Sequence, residues 1–338
     1  MSQPTITDVA LAAGVSVATV SRALRGLDKV HPETRERVLR AAAELDYIAS
    51  PTASGLASGR TRLIGIITPF MARWFFTEMM SAIEKTVRVQ QHHILLMDLE
   101  EPETVGRLSL TQGMMFKRID GLIVINVEMQ EPERDLVARL GLPVVSVGSR
   151  VDQFPVVGID DVGCARLAAE HLIGLGHRRI AYIGRARSES AHRQTPQDRL
   201  RGFHDALAAH GLDVPDGWVL ESDWSAADAK AGALGLLSRP DRPTAVLAAS
   251  DEMALGVIGA ARDLGIDVPG DLSVVGIDDH DMARVFGLTT VRQDVRAQGA
   301  AAATALLAQL GLADPDEARD HTVPVELVER SSTAPPGP

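Results

Sequence analysis

The first 48 residues alternate apolar and polar positions at the spacing of amphipathic helices. The apolar residues that this spacing places on inward faces are Val9, Ala10, Ala13, Val15, Val20 and Leu24. Gly14 stands between the two groups, where the chain must turn sharply, and Ser16 is placed to cap the helix that follows. The pattern therefore predicts a helix, a tight turn and a second helix.

A third helix is predicted over residues 33–45, because Pro32 suits a first helical position. The residues expected to face the first two helices or to close their core are Val38, Leu39, Ala42, Leu45 and Tyr47. Thr7 or Asp8 can cap the first helix. Three such helices make a compact headpiece over residues 1–48.

Two segments lack this apolar periodicity. Residues 49–62 are rich in Ser, Gly and Thr, a composition that by itself favours a flexible tether. Residues 333–338 are expected to form a disordered tail, and the C-terminal stretch carries no leucine heptad. A tetramerising coiled coil would need that repeat, so the expected assembly is a dimer.

From Leu63 onward, short apolar runs alternate with helical patterns. The predicted strands are 63–67, 94–97, 122–125, 144–147, 180–184, 219–222, 245–249 and 273–277. The predicted helices are 75–91, 104–117, 131–140, 164–175, 198–210, 226–237 and 252–264. Such alternation predicts doubly wound parallel sheets with right-handed crossovers.

The alternating part divides into two similar halves. The tetrapeptide Gly-Ile-Asp-Asp recurs at residues 158–161 and 276–279, as a strand-end signature in each half. The last predicted elements, 288–294, 295–310 and 323–328, should cross back and complete both lobes. Residues 63–332 are therefore expected to form one two-lobed α/β domain.

The charge of the chain is divided unevenly between these parts. The net charge is −11, yet residues 1–62 carry eight Arg or Lys and six Asp or Glu, which gives 8 − 6 = +2. The remainder then carries 26 − 39 = −13. An acidic large part repels DNA and confines any nucleic-acid contact to the small headpiece.

Composition also bears on the expected compartment. The chain has one cysteine, Cys164, which excludes an internal disulfide and fits a reducing compartment. No run of 18 apolar residues and no basic-then-apolar N-terminal stretch are present, so neither a membrane span nor a signal peptide is predicted. The expected location is the cytoplasm.

The outer side of the second helix carries short and polar side chains, which suit contact with DNA bases. Val17 and Ala18 allow close approach to base edges, and Arg22 can fork onto guanine. Hydroxyls surround them at Ser16, Thr19 and Ser21. This arrangement indicates a helix-turn-helix reader. The alternative is a pair of small amphipathic helices with no nucleic-acid role.

The stretch resembles the N-terminus of the lac repressor (LacI/GalR) family of bacterial transcription regulators. The residues that carry the resemblance are 6–10, 13–16, 18–24, Val30, 32–35, Val38, Ala42, Leu45 and Tyr47. The resemblance continues through the rest of the chain, and residues 291–294 match the late crossover motif of the family. It implies a helix-turn-helix headpiece, a hinge helix and a two-lobed periplasmic-binding-protein-like domain.

The resemblance also implies how residues 49–62 act. In the family, paired hinge helices form on DNA, and a leucine wedges between base steps in the minor groove. Leu56 occupies that position, and Ala53 would pack between the helices. The chain departs from the common pattern at residues 49–50, Ala-Ser in place of Pro-Asn, and at Ser54 in place of a frequent Arg. The predicted DNA contacts are Thr5, Ser16, Val17, Ala18, Thr19, Ser21, Arg22, Ala53 and Leu56.

A ligand should lie outside the carboxyl ends of the parallel strands. The predicted ligand contacts are Phe70, Trp74, Phe75, Arg199, Trp224, Ser250, Asp278 and Gln293. Aromatic rings can stack on a sugar or base, Arg offers a forked donor, and a carboxylate accepts from paired hydroxyls. This set favours a carbohydrate, with a nucleobase or an acidic metabolite as alternatives.

Structural roles compete with several of these assignments. Phe75 could belong to the core at the start of its helix, and Arg199 could form a surface ion pair with Asp198 or Asp205. A helix or turn cap is the alternative role at the end of the 273–277 strand, and it suits Asp279 better than Asp278.

The function predicted from the sequence is a dimeric, ligand-responsive repressor that a sugar releases from a palindromic operator. A purine-type regulator that needs a corepressor is the alternative, and a solute-binding protein is a more distant one. No phosphate-binding loop, nucleophile elbow or metal-spaced His pair is present, so no catalytic residue, metal or cofactor is predicted and the chain is not expected to be an enzyme.

Overall fold

The computed structural model describes residues 4–24, 26, 30–47, 60–98, 110–151, 153–185 and 194–337. The chain forms two compact units. The first comprises Met1–Arg62 with Lys117–Asp120, and the second comprises Leu63–Phe116 with Gly121–Pro338. The predicted hinge contacts Ala53 and Leu56 lie outside the described residues, as do residues 49–50 and Ser54.

The described residues of the first unit form three helices: α1 (Ile6–Ala13), α2 (Val17–Leu24) and α3 (Pro32–Glu44). The cap of α1 is Thr5, rather than Thr7 or Asp8, because Asp8 lies at the third helical position and completes a capping box with Thr5. Gly14 ends α1 in the left-handed region at φ 62°, which a residue with a Cβ adopts only at a cost. The predicted helix-turn-helix is confirmed.

The apolar faces of these helices enclose a small core. Its buried residues are Val9, Ala10, Ala13, Val20, Ala23, Val30, Val38, Ala41 and Ala42, and Tyr47 packs against them. The prediction for Leu39 is wrong, because its side chain is 48% exposed. The buried face of α3 consists of Val38, Ala41 and Ala42, and Leu39 lies off that face.

The described part of the second unit contains two six-stranded sheets. The strands are β1 (Leu63–Thr68), β2 (His93–Asp98), β3 (Gly121–Ile125), β4 (Val144–Val147), β5 (Val156–Gly158), β6 (Ile180–Arg185), β7 (Val219–Glu221), β8 (Ala245–Ala248), β9 (Ser273–Asp278), β10 (Thr289–Gln293), β11 (His321–Thr322) and β12 (Val325–Val328). Their orders are β11-β5-β4-β3-β1-β2 and β12-β10-β9-β8-β6-β7. All pairs are parallel except β10 with β12. The predicted doubly wound class is confirmed, with one antiparallel edge strand.

Helices cover both sheets and bury their apolar faces. They are α4 (Trp74–Val89), α5 (Gln112–Met115), α6 (Glu131–Leu140), α7 (Asp161–Gly174), α8 (Gln194–Ala209), α9 (Ala226–Leu237), α10 (Asp251–Asp263), α11 (Asp281–Val285) and α12 (Val295–Gln309). Strand β11 and helix α11, of two and five residues, lay outside the predicted elements, and β5 was indicated only by the strand-end signature at residues 158–161. Of the predicted helix over 104–117, the structure describes residues 110–117. Within them, α5 covers Gln112–Met115.

The C-terminal residues differ from the disorder predicted for 333–338. The Thr333 hydroxyl is 3.0 Å from Nε2 of His171, and the Ala334 amide donates to the Ser273 hydroxyl at 3.0 Å. Ser273 and His171 belong to β9 and α7, so the tail residues have fixed partners that composition does not reveal. Within the described residues, no single helix is long and apolar enough to cross a membrane, and only the bent pair of α1 and α2 meets such a test, by length and composition.

Candidate functional site

The predicted DNA contacts of the headpiece lie on its surface. Helices α1 and α2 are bent by 99° relative to each other across a three-residue turn, within the range of helix-turn-helix pairs. Side chains at positions 16, 17, 18 and 22 are exposed, and Val17 is 41% exposed although it is apolar. Thr19 and Ser21 are half-buried, and Thr5 is exposed. An exposed apolar side chain on the same helix as an exposed arginine suits contact with base edges.

Some of these polar groups also have structural roles. The Ser16 hydroxyl accepts from the Thr19 amide at 3.2 Å and lies 2.9 Å from the Thr19 hydroxyl. Ser16 therefore caps α2, as predicted. The Thr5 hydroxyl donates to Asp8 at 2.8 Å. Thr5 and Ser16 fix the helix ends that would present amides to phosphate.

A cavity of about 380 Å³ lies between the two sheets of the second unit, at the carboxyl ends of their strands. This volume lies within the roughly 300–1,000 Å³ typical of small-molecule sites. Its lining includes every predicted ligand contact: Phe70, Trp74, Phe75, Arg199, Trp224, Ser250, Asp278 and Gln293. The structure therefore brings together residues that span more than two hundred positions of the chain.

Arg199 forms the charged centre of the cavity. Its guanidinium donates from Nε to Oδ1 of Asp161 at 2.7 Å and from Nη1 to the Ala249 carbonyl at 2.5 Å. Asp278 Oδ1 lies 3.9 Å from Nη1. Arg199 is 4% exposed, so the alternative of a surface ion pair with Asp198 or Asp205 is wrong. Asp198 pairs with Arg201 at 3.0 Å instead.

Asp161 is a site residue that the sequence did not indicate. A Cβ on Gly202 would lie 2.1 Å from the Val162 carbonyl oxygen, so only glycine lets α8 approach the start of α7 this closely. That approach places Arg199, one turn earlier on α8, against Asp161. Burial raises the pKa of Asp161, and the Arg199 charge opposes the shift. The recurring Gly-Ile-Asp-Asp motif was the available signal.

Asp278 is held by a relay of amides. Its Oδ1 accepts from Nε2 of Gln293 at 2.6 Å, and Oε1 of Gln293 accepts from Nε2 of Gln298 at 3.1 Å. All three side chains are buried. Burial raises the pKa of Asp278 to about 6. Gln293 therefore orients the carboxylate, and Gln298, which the sequence did not indicate, orients Gln293.

A further carboxylate, Asp251, lies behind Asp278 and is not part of the cavity lining. Oδ1 accepts from the Thr290 hydroxyl at 2.6 Å, and Oδ2 accepts from the His280 amide at 2.8 Å. Burial and the neighbouring Asp278 carboxylate raise the pKa of Asp251 to about 8. Ser250 lines the cavity and caps α10 by accepting from the Met253 amide at 3.3 Å.

Aromatic side chains form one wall of the cavity. Phe75 meets Phe76 edge-on with ring centroids 5.1 Å apart, and Phe70 meets Phe76 at 5.6 Å. Trp74 packs against the His280 ring at 4.8 Å. Phe75 lines the cavity and also packs against the core of the first sheet, so its two predicted roles are compatible.

Three non-glycine residues of the lining have a positive φ. They are Asn126 at 49°, Trp224 at 70° and Asp278 at 136°. Such a conformation is unfavourable for a bulky residue such as Trp224. The Ser222 hydroxyl accepts from the Trp224 amide at 3.0 Å and helps to hold it. Backbone strain of this kind concentrates at functional sites.

The described residues contain no group of three or more His, Cys, Asp or Glu side chains arranged to hold a metal ion. The cavity offers instead a buried arginine with two carboxylates, oriented amides and aromatic faces. Groups of these kinds are suited to recognise a small polar molecule through directed hydrogen bonds and ring stacking.

Both the headpiece and the α/β domain of the chain match known protein families. Residues 5–50 match the family model described as "Bacterial regulatory proteins, lacI family", and residues 169–333 match the "Periplasmic binding protein-like domain". Catabolite control protein A of Priestia megaterium is 33% identical over 302 residues, which cover 88% of this chain and 90% of the relative.

Solved structures show the same likeness. The lac repressor dimer bound to operator and the anti-inducer ONPF is 30% identical with a TM-score of 0.83, over 98% of this chain and 100% of that one. A complex of the transcriptional regulator CelR with cellobiose is 28% identical with a TM-score of 0.69, over 97% and 99%.

Proposed function

The chain belongs to the LacI family of bacterial transcription regulators, and on that premise we propose that it is a repressor that a sugar releases from its operator. The choice of a sugar as effector is supported by the cavity, which Arg199, Asp161 and Asp278 line together with an aromatic wall. Sugars need several oriented donors and acceptors together with a stacking surface. The CelR complex supports this choice, because its bound ligand is cellobiose.

The other parts of the proposal follow from the family. The chain acts as a homodimer on a palindromic operator, is not an enzyme and works in the cytoplasm, with its domains at residues 1–48, 49–62 and 63–332. The lac repressor structure is a dimer on its operator. Two copies of one headpiece read two half-sites related by symmetry.

Release from the operator requires that sugar binding and operator binding be energetically coupled. Such coupling is typically about 1–3 kcal/mol and reciprocal, so operator DNA weakens sugar binding by the factor by which sugar weakens operator binding. The test is an anisotropy titration of a promoter fragment from beside the gene, with a panel of sugars and nucleobases. Release by a sugar supports the proposal. Operator binding that appears only with an added purine would mean that the ligand promotes operator binding instead of releasing it. The cavity would then be a corepressor site.

Arg22→Ala should lower operator affinity by about 1–3 kcal/mol and relax specificity at one base position, because a forked guanine contact is lost. Arg22 is exposed on α2. The measurement is anisotropy on the operator and on variants with single base changes. Arg40→Ala is the matched control, since Arg40 is exposed on α3 and pairs with Glu36 at 3.0 Å. Equal effects of both changes would refute a base contact by Arg22.

Sugar affinity should fall as pH drops. The pKa of Asp278 is raised to about 6 by burial, and the ionised carboxylate is the form that accepts from ligand hydroxyls. Protonation therefore competes with the sugar, and affinity should drop about tenfold between about pH 7 and pH 5. Titration calorimetry over this range, with circular dichroism to verify folding, measures the effect. A flat profile would contradict binding through ionised Asp278.

A further inference from the structure

We propose that the cavity selects an uncharged ligand and excludes phosphorylated and carboxylate compounds, and that Trp74 Nε1 and Asn126 Oδ1 bind this ligand. The inference rests on the proposed function, because it names the charge class of the effector. It goes beyond that function, since a sugar effector could as well be a sugar phosphate.

The first argument is the charge of the described lining. It contains two cationic side chains, Arg73 and Arg199, and four carboxylates: Asp161, Asp223, Glu252 and Asp278. The balance is 2 − 4 = −2, and no Lys or His belongs to this described lining. A net negative charge in the described lining disfavours an anionic ligand there.

The second argument is that both arginines are engaged within the protein. Arg199 has Asp161 at 2.7 Å and the Ala249 carbonyl at 2.5 Å. Arg73 donates from Nη2 to the Asp223 carbonyl at 2.7 Å, and its guanidinium lies 3.8 Å from the centroid of the Phe70 ring. A phosphate or carboxylate would have to displace these contacts before it could form a bidentate pair.

The third argument concerns two buried atoms that have no hydrogen-bond partner among the described residues. They are the donor Trp74 Nε1 and the acceptor Asn126 Oδ1, and both side chains line the cavity. Buried polar atoms of this kind are costly unless a ligand or water satisfies them. A ligand hydroxyl can accept from Trp74, and another can donate to Asn126.

The same chemistry disfavours an anionic group placed against Asn126 Oδ1 or Asp278. A carboxylate or a fully ionised phosphate only accepts hydrogen bonds. Asn126 Oδ1 and the ionised Asp278 carboxylate both require a donor from the ligand. An uncharged hydroxylated molecule supplies donors and acceptors together, so it satisfies all three groups.

The first experiment uses matched pairs of probes on the full-length dimer. Thermal-shift assays and calorimetry compare glucose with glucose 6-phosphate, galactose with galactose 1-phosphate, cellobiose with cellobionate, and adenosine with adenosine monophosphate. The expected result is that one uncharged probe binds and that its anionic counterpart binds at least about a hundredfold more weakly. Equal or tighter binding of an anion overturns the proposal.

Operator binding is measured on the same preparation, so that two failures can be told apart. A chain that binds its operator and responds only to anionic probes is still a regulator, but this inference is then wrong. A chain that responds to none of the uncharged probes also contradicts it. A chain that binds an uncharged sugar but shows no specific operator binding would refute the repressor function. The inferred selection against charged ligands would then still hold.

The second experiment removes the indole N–H of Trp74 and keeps an aromatic ring, though a smaller one, at this position. Trp74→Phe should weaken binding of the uncharged probe about tenfold, since a single ligand hydrogen bond is lost. Trp218→Phe is the matched control, because Trp218 also has a buried Nε1 without a partner but lies in the core of the second sheet, away from the lining. Equal effects of the two changes would show that Trp74 Nε1 has no specific role.

Discussion

Replacing Arg199 with methionine should lower the free energy of unfolding by about 3–5 kcal/mol and abolish the effector response. The side chain is buried, and its removal leaves the carboxylates of Asp161 and Asp278 without their cation. Breaking a buried ion pair by removing one partner is costly for this reason. Denaturant unfolding of the second unit within the full chain measures the loss, and operator titrations with sugar measure the response.

Arg201→Met is the matched control for this substitution. Arg201 lies on the same helix, but its side chain is exposed and pairs with Asp198 at 3.0 Å. Exposed pairs of this kind are worth about 0–1 kcal/mol. Adding Asp161→Leu to Arg199→Met should recover part of the lost stability, since one uncompensated carboxylate is removed. Similar destabilisation by Arg199→Met and Arg201→Met would mean that the buried pair is not the cause.

Asp278→Asn should reduce sugar affinity by a factor of about 10 to 150, while operator affinity without sugar stays unchanged. Hydrogen bonds to a charged group contribute about 1.5–3 kcal/mol, and the neutral amide can no longer accept two ligand hydroxyls as a carboxylate does. The substitution also replaces an acceptor that faces Nε2 of Gln293 at 2.6 Å. Calorimetry with the sugar and anisotropy with the operator measure the two affinities separately.

Asp279→Asn separates a contact with the ligand from a general effect on this loop. Asp279 follows Asp278 in the chain, but its carboxylate binds Arg292 at 2.8 Å and Arg330 at 2.5 Å and lies outside the cavity lining. Its replacement should cost stability without changing sugar affinity. A normal sugar response of Asp278→Asn would remove Asp278 from the site.

Several features of the site came from the sequence because they depend on local order. Strands such as β1 and β9 have apolar centres and are buried along nearly their whole length, as a parallel sheet covered on both faces requires. A residue that follows such a strand must lie at the edge where ligands bind, which is how Asp278 and Trp74 were predicted. Predicted and observed bounds agree fully for β4, α6 and α9.

Other features depend on pairs of residues that are distant in the sequence. Asp161 lies 38 positions from Arg199, and nothing near Asp161 in the sequence indicates that pairing. Gln298 and Asn126 have ordinary sequence surroundings, and their roles follow from which groups they face across the cavity. The exposure of Leu39 depends on how α3 is rotated against its neighbours.

The sequence by itself determined the order of elements, the helix-turn-helix, the two α/β lobes and the strand ends that carry the ligand contacts, because these follow from local periodicity and from the fixed geometry of parallel sheets. Only the tertiary structure decided which charges neutralise each other and which polar atoms stay without a partner. Those properties depend on distances of a few ångströms between side chains that different elements bring together. They give Arg199 its buried partners and give the cavity its expected preference for an uncharged ligand.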